Sequence, residues 1–111
     1  METILSKRTK QIRDNFNNLA ELEQIYCKIG YDFGIISDDL IRSLTDNRNK
    51  KKEIKGELGN TSMAVFNREY ELSDEYLILK SCKYQLKGLE RLMSGLKIRI
   101  ESLRAESKGN Y

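Results

Sequence analysis

The chain of 111 residues contains no histidine, no proline and no tryptophan, and only two cysteines. Without histidine there is no Ser-His-Asp or Cys-His nucleophile pair, no imidazole metal ligand and no histidine general base. Without proline the strongest helix breaker is gone, and long helices are open to the whole chain. Cys27 and Cys82 cannot make a zinc site by themselves, and both are expected as free thiols. Neither a GxxxxGKS/T nor a GxGxxG phosphate loop occurs. No run of about 18 apolar residues is present, so no membrane span is expected. The stretch METILSKRTKQIRDNF lacks the apolar core of a secretory signal, which gives a cytoplasmic protein as the expectation. Carboxylates adjoin at Asp38–Asp39 and Asp74–Glu75, but neighbours in sequence point in different directions on a helix. The chain is therefore expected to be no enzyme, with no cofactor and no metal.

What is present is periodicity. Steps of seven from Leu5 give Leu5, Ile12, Leu19, Tyr26, Phe33 and Leu40, with Leu22, Ile29 and Ile36 as companions. Steps of seven from Leu58 give Leu58, Val65, Leu72, Leu79, Leu86, Met93 and Ile100, with Cys82, Leu89, Leu96 and Leu103 beside them. Sustained heptads argue for two long helices meeting along a coiled-coil-like seam. Gly30 and Gly34 lie inside the first run without breaking its phase, each at a cost of about 1 kcal/mol.

Between the runs lies DNRNKKKEIKGELGN, residues 46–60, whose Asn and Gly residues suit a helix exit and a connection. The expected fold is all-α, a single helical domain over residues 1–111 formed as a long antiparallel helical hairpin. Its helices would cover about residues 3–45 and 61–106, joined by a basic connection at about 46–60. A hairpin buries only one stripe per helix, while Phe16, Ile25, Ile35, Ile41, Phe66, Tyr70, Tyr76 and Ile98 lie off the seam. Self-association or docking onto a larger protein is expected to cover them. With a turn near residue 54, Cys27 is expected level with Cys82.

Charge is segregated along the chain. Residues 1–13 carry net +3, residues 14–46 net −5, residues 47–57 net +3, residues 58–79 net −3 and residues 80–111 net +5. In a hairpin, Glu21, Glu23 and Asp32 are expected to face Lys80, Lys83 and Lys87. Two basic ends then remain. One brings Lys7, Arg8, Lys10 and Arg13 beside Lys97, Arg99 and Arg104, and the other carries Arg48, Lys50, Lys51, Lys52 and Lys55. Such clusters attract phosphate backbones through counterion release, and a tyrosine beside a cation, as in Lys83–Tyr84, adds base stacking. The bland reading of the 47–57 cluster is a solvated loop. The candidate nucleic-acid contacts are Arg48, Lys50, Lys51, Lys52, Lys55, Lys97, Arg99 and Arg104. The candidate protein contacts are Phe16, Phe33, Asp38, Asp39, Phe66, Tyr76 and Tyr84.

The segment DEYLILKSCKYQLKGLERLMSGLKIRIESLR resembles the C-terminal helix of phage recombination mediators of the UvsY type. A tyrosine there leads into a leucine-rich helix with small residues midway and a basic end, matched by Tyr84, Leu89, Ser94, Leu96 and Arg99. The resemblance covers about the last third of the chain. It implies a small helical protein that forms a ring-like oligomer, binds single-stranded DNA and helps a recombinase displace a single-strand-binding protein.

The sequence thus leads to a small non-enzymatic helical interaction protein, self-assembling and acting on nucleic-acid machinery. Its partners are expected to be itself or a larger protein, and single-stranded nucleic acid. An alternative is a phage- or plasmid-encoded inhibitor, anti-CRISPR-like, that binds a nucleic-acid enzyme through the acidic block from Asp14 to Asp46. A structural or chaperone hairpin subunit is the third class.

Overall fold

Asparagines divide the first heptad run. A computed structural model describes residues 3–109, and the expected helix over residues 3–45 is broken into α1 (Ile4–Asp14) and the start of α2 (Leu19–Leu58). Asn15 closes α1, its Nδ2 donating to the Gln11 carbonyl at 2.9 Å. Asn18 opens α2, its Oδ1 accepting from the Glu21 backbone N–H at 3.2 Å. Short amide side chains that replace backbone partners in this way stop and start helices, and two of them here outweigh an uninterrupted apolar repeat.

The second correction concerns residues 46–60. They are not a connection: α2 continues through the basic cluster to Leu58. Lys, Arg and Glu are good helix formers, and the Asn47 side chain is engaged in tertiary hydrogen bonds instead of capping. The helix ends where Gly59 takes a left-handed φ of 62°, its N–H donating to the Lys55 carbonyl at 3.0 Å. That conformation favours glycine after a helix C-terminus. Ser62 then caps α3 (Met63–Glu71), accepting from the Val65 N–H at 3.3 Å. Ser73 caps α4 (Asp74–Gly109) through the Tyr76 N–H, also at 3.3 Å. Asp74 and Glu75 in its first turn complement the helix dipole.

The described residues contain no strand, and the fold is the expected all-α helical hairpin, with α2 and α4 as its arms. The ends of the expected domain, residues 1–2 and 110–111, lie outside the described residues. Contacts group the chain into two compact units, Met1–Ile35 with Gln85–Tyr111, and Ile36–Tyr84.

In the first unit, α1 packs against the first part of α2 and the last part of α4. Leu22, Ile25, Ile29 and Leu89 are essentially inaccessible, and each such side chain contributes about 1.5–3 kcal/mol. The buried row on α2 is Leu22, Ile25 and Ile29, while Leu19, Tyr26 and Phe33 are only half-buried. The companions Leu22 and Ile29, not the leading heptad row, face the core, and Ile25 and Tyr70, expected off the seam and covered by a partner, are instead buried within the chain. On α4 the expected positions Leu89, Leu96 and Ile100 are buried as the repeat requires. Gly88 admits the close approach of α1: a Cβ there would lie 2.5 Å from the Leu5 Cδ2. Arg8 of α1 reaches Asp32 of α2, donating from Nε and Nη2 to both carboxylate oxygens.

In the second unit, the remainder of α2 packs with α3 and the start of α4. Ile36, Ile54, Tyr70, Leu79 and Cys82 are buried, together with the polar Ser43, Asn47 and Ser73. Asn47 ties the three helices together. Its Oδ1 accepts from the Tyr70 hydroxyl at 2.6 Å, and its Nδ2 donates to the Glu75 carbonyl at 2.8 Å and the Ser43 carbonyl at 2.7 Å. Leu72, expected on the heptad seam, is 71% exposed because the chain turns between α3 and α4 at this point.

The cysteine register differs from expectation. Cys27 is exposed and lines a groove of about 280 Å³ with Tyr26, Ile100 and Arg104, well beyond Cys82 along α4. Cys82 is buried, and desolvation, with a smaller effect from the Asp39 charge, pushes its thiol above the ordinary value. The connection between the arms is centred later than residue 54, since it runs from Gly59 to Ser73 and includes α3, which shifts the pairing.

Candidate nucleic-acid interface

Helical geometry sorts the cations of the central cluster. Arg48, Lys51, Lys52 and Lys55 occupy positions i, i+3, i+4 and i+7 of α2, one face of the helix, and all four are exposed. Lys50 leaves this set: it is half-buried and pairs with Glu53 at 3.5 Å. The same face carries no carboxylate from Ile41 to Lys55 and begins with the exposed apolar residues Ile41 and Leu44. Among the described residues, no ion pair engages Arg48, Lys51, Lys52 or Lys55. A loop would have scattered these charges. The helix lines them up.

An aromatic pair borders this face. The Lys51 ammonium lies 4.8 Å from the centroid of Tyr70, and Tyr70 meets Tyr76 edge to face at 4.9 Å. Lys80 lies 5.3 Å from the Tyr76 centroid. Desolvation, with a smaller effect from Tyr76, raises the Tyr70 phenol above its ordinary value, so it remains a hydrogen-bond donor to Asn47 at neutral pH.

The second basic group expected from the sequence is not assembled as a free cluster. Arg99 donates to the Phe16 carbonyl at 2.9 Å and to Asn17 Oδ1 at 2.6 Å, and stacks 4.3 Å from the Phe16 ring centroid. Arg104 pairs with Glu23 at 3.3 Å. Arg8 is largely buried against Asp32, whose hydrogen bonds and charge hold its guanidinium above the ordinary value against the opposing effect of burial. Lys97 is exposed on the rim of the groove lined by Tyr26 and Ile100. The expected facing of Glu23 and Asp32 with Lys80, Lys83 and Lys87 is therefore overturned, because Arg104 and Arg8 take those carboxylates.

The candidate protein contacts are dispersed. Phe16 lies under Arg99, and Phe33 is half-buried beside Tyr26, Gly30 and Met93. Asp38 is exposed. Its neighbour Asp39 pairs with Arg42 at 2.8 Å on an exposed surface. Phe66 is half-buried near Lys55, Leu58 and Met63. Tyr76 is half-buried on Tyr70, whereas Tyr84 is 73% exposed. Sequence reasoning missed Asn47 as a structural hub. The available signal was an i−4 serine, Ser43, in a position the heptad phase reserves for the core.

Among the described residues, no group of three or more His, Cys, Asp or Glu side chains could hold a metal ion. None of the described helices is long and apolar enough to cross a membrane. No family model matches the chain, and no curated protein or solved structure is significantly similar to it.

Proposed function

We propose that this chain is a non-enzymatic helical interaction protein that acts on nucleic-acid machinery by gripping the phosphate backbone with the outer face of α2. The observation that supports the reading is the alignment of Arg48, Lys51, Lys52 and Lys55 on one exposed helical face, with no acidic residue among them and no intramolecular ion pair. Cations without an intramolecular ion pair are available to replace the counterions of a polynucleotide. The finer form of the proposal is a recombination mediator of the UvsY type. Self-assembly belongs to the same reading, since Ile41, Leu44, Leu77, Ile78 and Ile98 remain 45–68% exposed and an oligomer would cover them.

Fluorescence anisotropy with labelled oligonucleotides tests it. Four phosphate contacts on a single strand predict a loss of roughly 50-fold in affinity between about 50 and 200 mM salt. Lys52→Glu should weaken binding strongly, while Lys50→Gln, off the face, should leave it nearly unchanged. Equal effects of the two substitutions, or no binding at low salt, would reject the α2 face as the contact surface. In the latter case the inhibitor class, which binds a protein and not bare DNA, becomes the working reading.

A further inference from the structure

Lys80 and Lys83 are two cations the sequence assigned to internal neutralisation, and the fold leaves them in water. Asp32 is taken by Arg8 and Glu23 by Arg104. Among the described residues, no ion pair reaches Lys80 or Lys83, and both are exposed. With Tyr84 they occupy positions i, i+3 and i+4 of α4, so the three side chains share one helical face. Tyr84 is 73% exposed, while the Lys80 ammonium rests over Tyr76. This face is joined to the α2 face by the sequence of ring contacts already described. Lys51 rests on Tyr70, Tyr70 on Tyr76, and Lys80 on Tyr76, at 4.8, 4.9 and 5.3 Å. Every residue in this path lies within the unit Ile36–Tyr84.

We infer that a single-stranded polynucleotide crosses from the α2 face past Tyr70 and Tyr76 to the α4 face, where one of its bases stacks on Tyr84 between phosphates held by Lys80 and Lys83. The inference rests on the phosphate reading of the α2 face and adds the residue that selects a single strand over a duplex. A duplex keeps its bases stacked inside and offers an exposed ring nothing to cover it. A single strand can turn a base outward onto an aromatic face while its backbone follows the flanking cations. The two central tyrosines are differently employed: Tyr70 is buried and hydrogen-bonded to Asn47, so it supports the path and does not stack.

The test uses the full chain and labelled oligothymidylate, oligouridylate and duplex DNA, with Tyr84→Ala, Tyr84→Phe and Lys52→Glu beside the wild type. Tyr84→Ala should weaken both single strands roughly 10-fold and leave duplex affinity unchanged, and Tyr84→Phe should keep single-strand affinity. The two single-strand probes separate a DNA from an RNA preference. If Tyr84→Ala matches the wild type on single strands while Lys52→Glu weakens binding, stacking is overturned and the α2 reading stands. An equal loss on single strand and duplex overturns stacking as well. If the wild type binds none of the probes, both readings fall. Helical circular dichroism of each variant confirms that an exposed substitution leaves the fold in place.

Discussion

The two units differ in how they hold their arginines and their central basic cluster, although Lys97 of the first is exposed with no ion pair among the described residues, and Arg42 and Lys50 of the second pair with Asp39 and Glu53. In the unit of Met1–Ile35 and Gln85–Tyr111, Arg8, Arg99 and Arg104 are bound to Asp32, to the Phe16–Asn17 turn and to Glu23. In the unit Ile36–Tyr84, Arg48, Lys52, Lys55 and Lys83 find no such partner among the described residues. The cores differ in the complementary sense. The first is apolar apart from one ion pair, and the second holds Ser43, Asn47 and the Tyr70 hydroxyl in a hydrogen-bonded set. A cluster of basic residues in a sequence is thus no site in itself. What decides is whether the fold supplies each charge with a partner.

The comparison breaks most severely at Arg8. Removing it leaves Asp32, only 5% exposed, without its counter-charge, and breaking a buried pair from one side costs about 3–5 kcal/mol. Arg8→Ala should lower the unfolding free energy by that much, read as a lower denaturation midpoint. An effect below 1 kcal/mol would show that the pair is no part of the first unit's core.

The corresponding break in the second unit is smaller. Asn47→Ala strands the Tyr70 hydroxyl and the Glu75 carbonyl, a loss of about 1–3 kcal/mol for the unsatisfied groups. Tyr70→Phe combined with Asn47→Leu should be milder than Asn47→Ala, because the Tyr70 hydroxyl is removed with its partner and only the Glu75 carbonyl loses its donor. Urea unfolding of the two variants orders them.

The smallest effect distinguishes the units by pH. Cys82 and Tyr70 both have raised values in the folded state, and both are acids whose neutral form the fold favours. Their stabilising contribution is complete below the ordinary values of 9.0 and 10.0 and is lost as pH rises past them. Arg8 is also raised, from an ordinary value already well above this window, so it does not titrate there. Alkaline loss of stability should therefore be reduced in Cys82→Ala and unchanged in Cys27→Ala, as thermal melting at about pH 8 and 10 would show. The same Cys27→Ala protein should lose the fast phase of thiol alkylation, since Cys27 is the exposed thiol.

How far the sequence revealed this depended on which residues fill each helix face. The α4 seam from Leu79 to Ile100 was legible because leucine, methionine and cysteine keep the heptad. Beyond Ile29 the seam of α2 was legible at Ile36 but not elsewhere, because Asp32, Ser43 and Asn47 occupy core positions, and Asp32 and Asn47 are satisfied by partners distant in sequence. An apolar count treats such residues as surface. The break at Asn15–Asn18 carried a readable N-cap signal, Asn18 followed by Glu21 at i+3, but the apolar repeat running across it masked that signal. The basic cluster read as a loop because Asn47, Asn49 and Gly56 weaken helix locally. Tertiary hydrogen bonding of Asn47 removes the first of these objections. The identities of the charged residues at 48–55 were plain from the start, while their alignment needed the helix.

The most direct test of that alignment is the salt dependence of binding to a single strand. The logarithm of affinity against the logarithm of salt concentration should have a slope of about −2.8 for the wild type from the four α2 contacts at about 0.7 each, steepened to about −4.2 where Lys80 and Lys83 also hold phosphates. In Lys52→Ala it should be shallower by about 0.7, and in Lys50→Ala it should be unchanged. If the two substitutions shift the slope equally, the face of α2 does not act as an aligned set of phosphate contacts, and the account of the second unit fails.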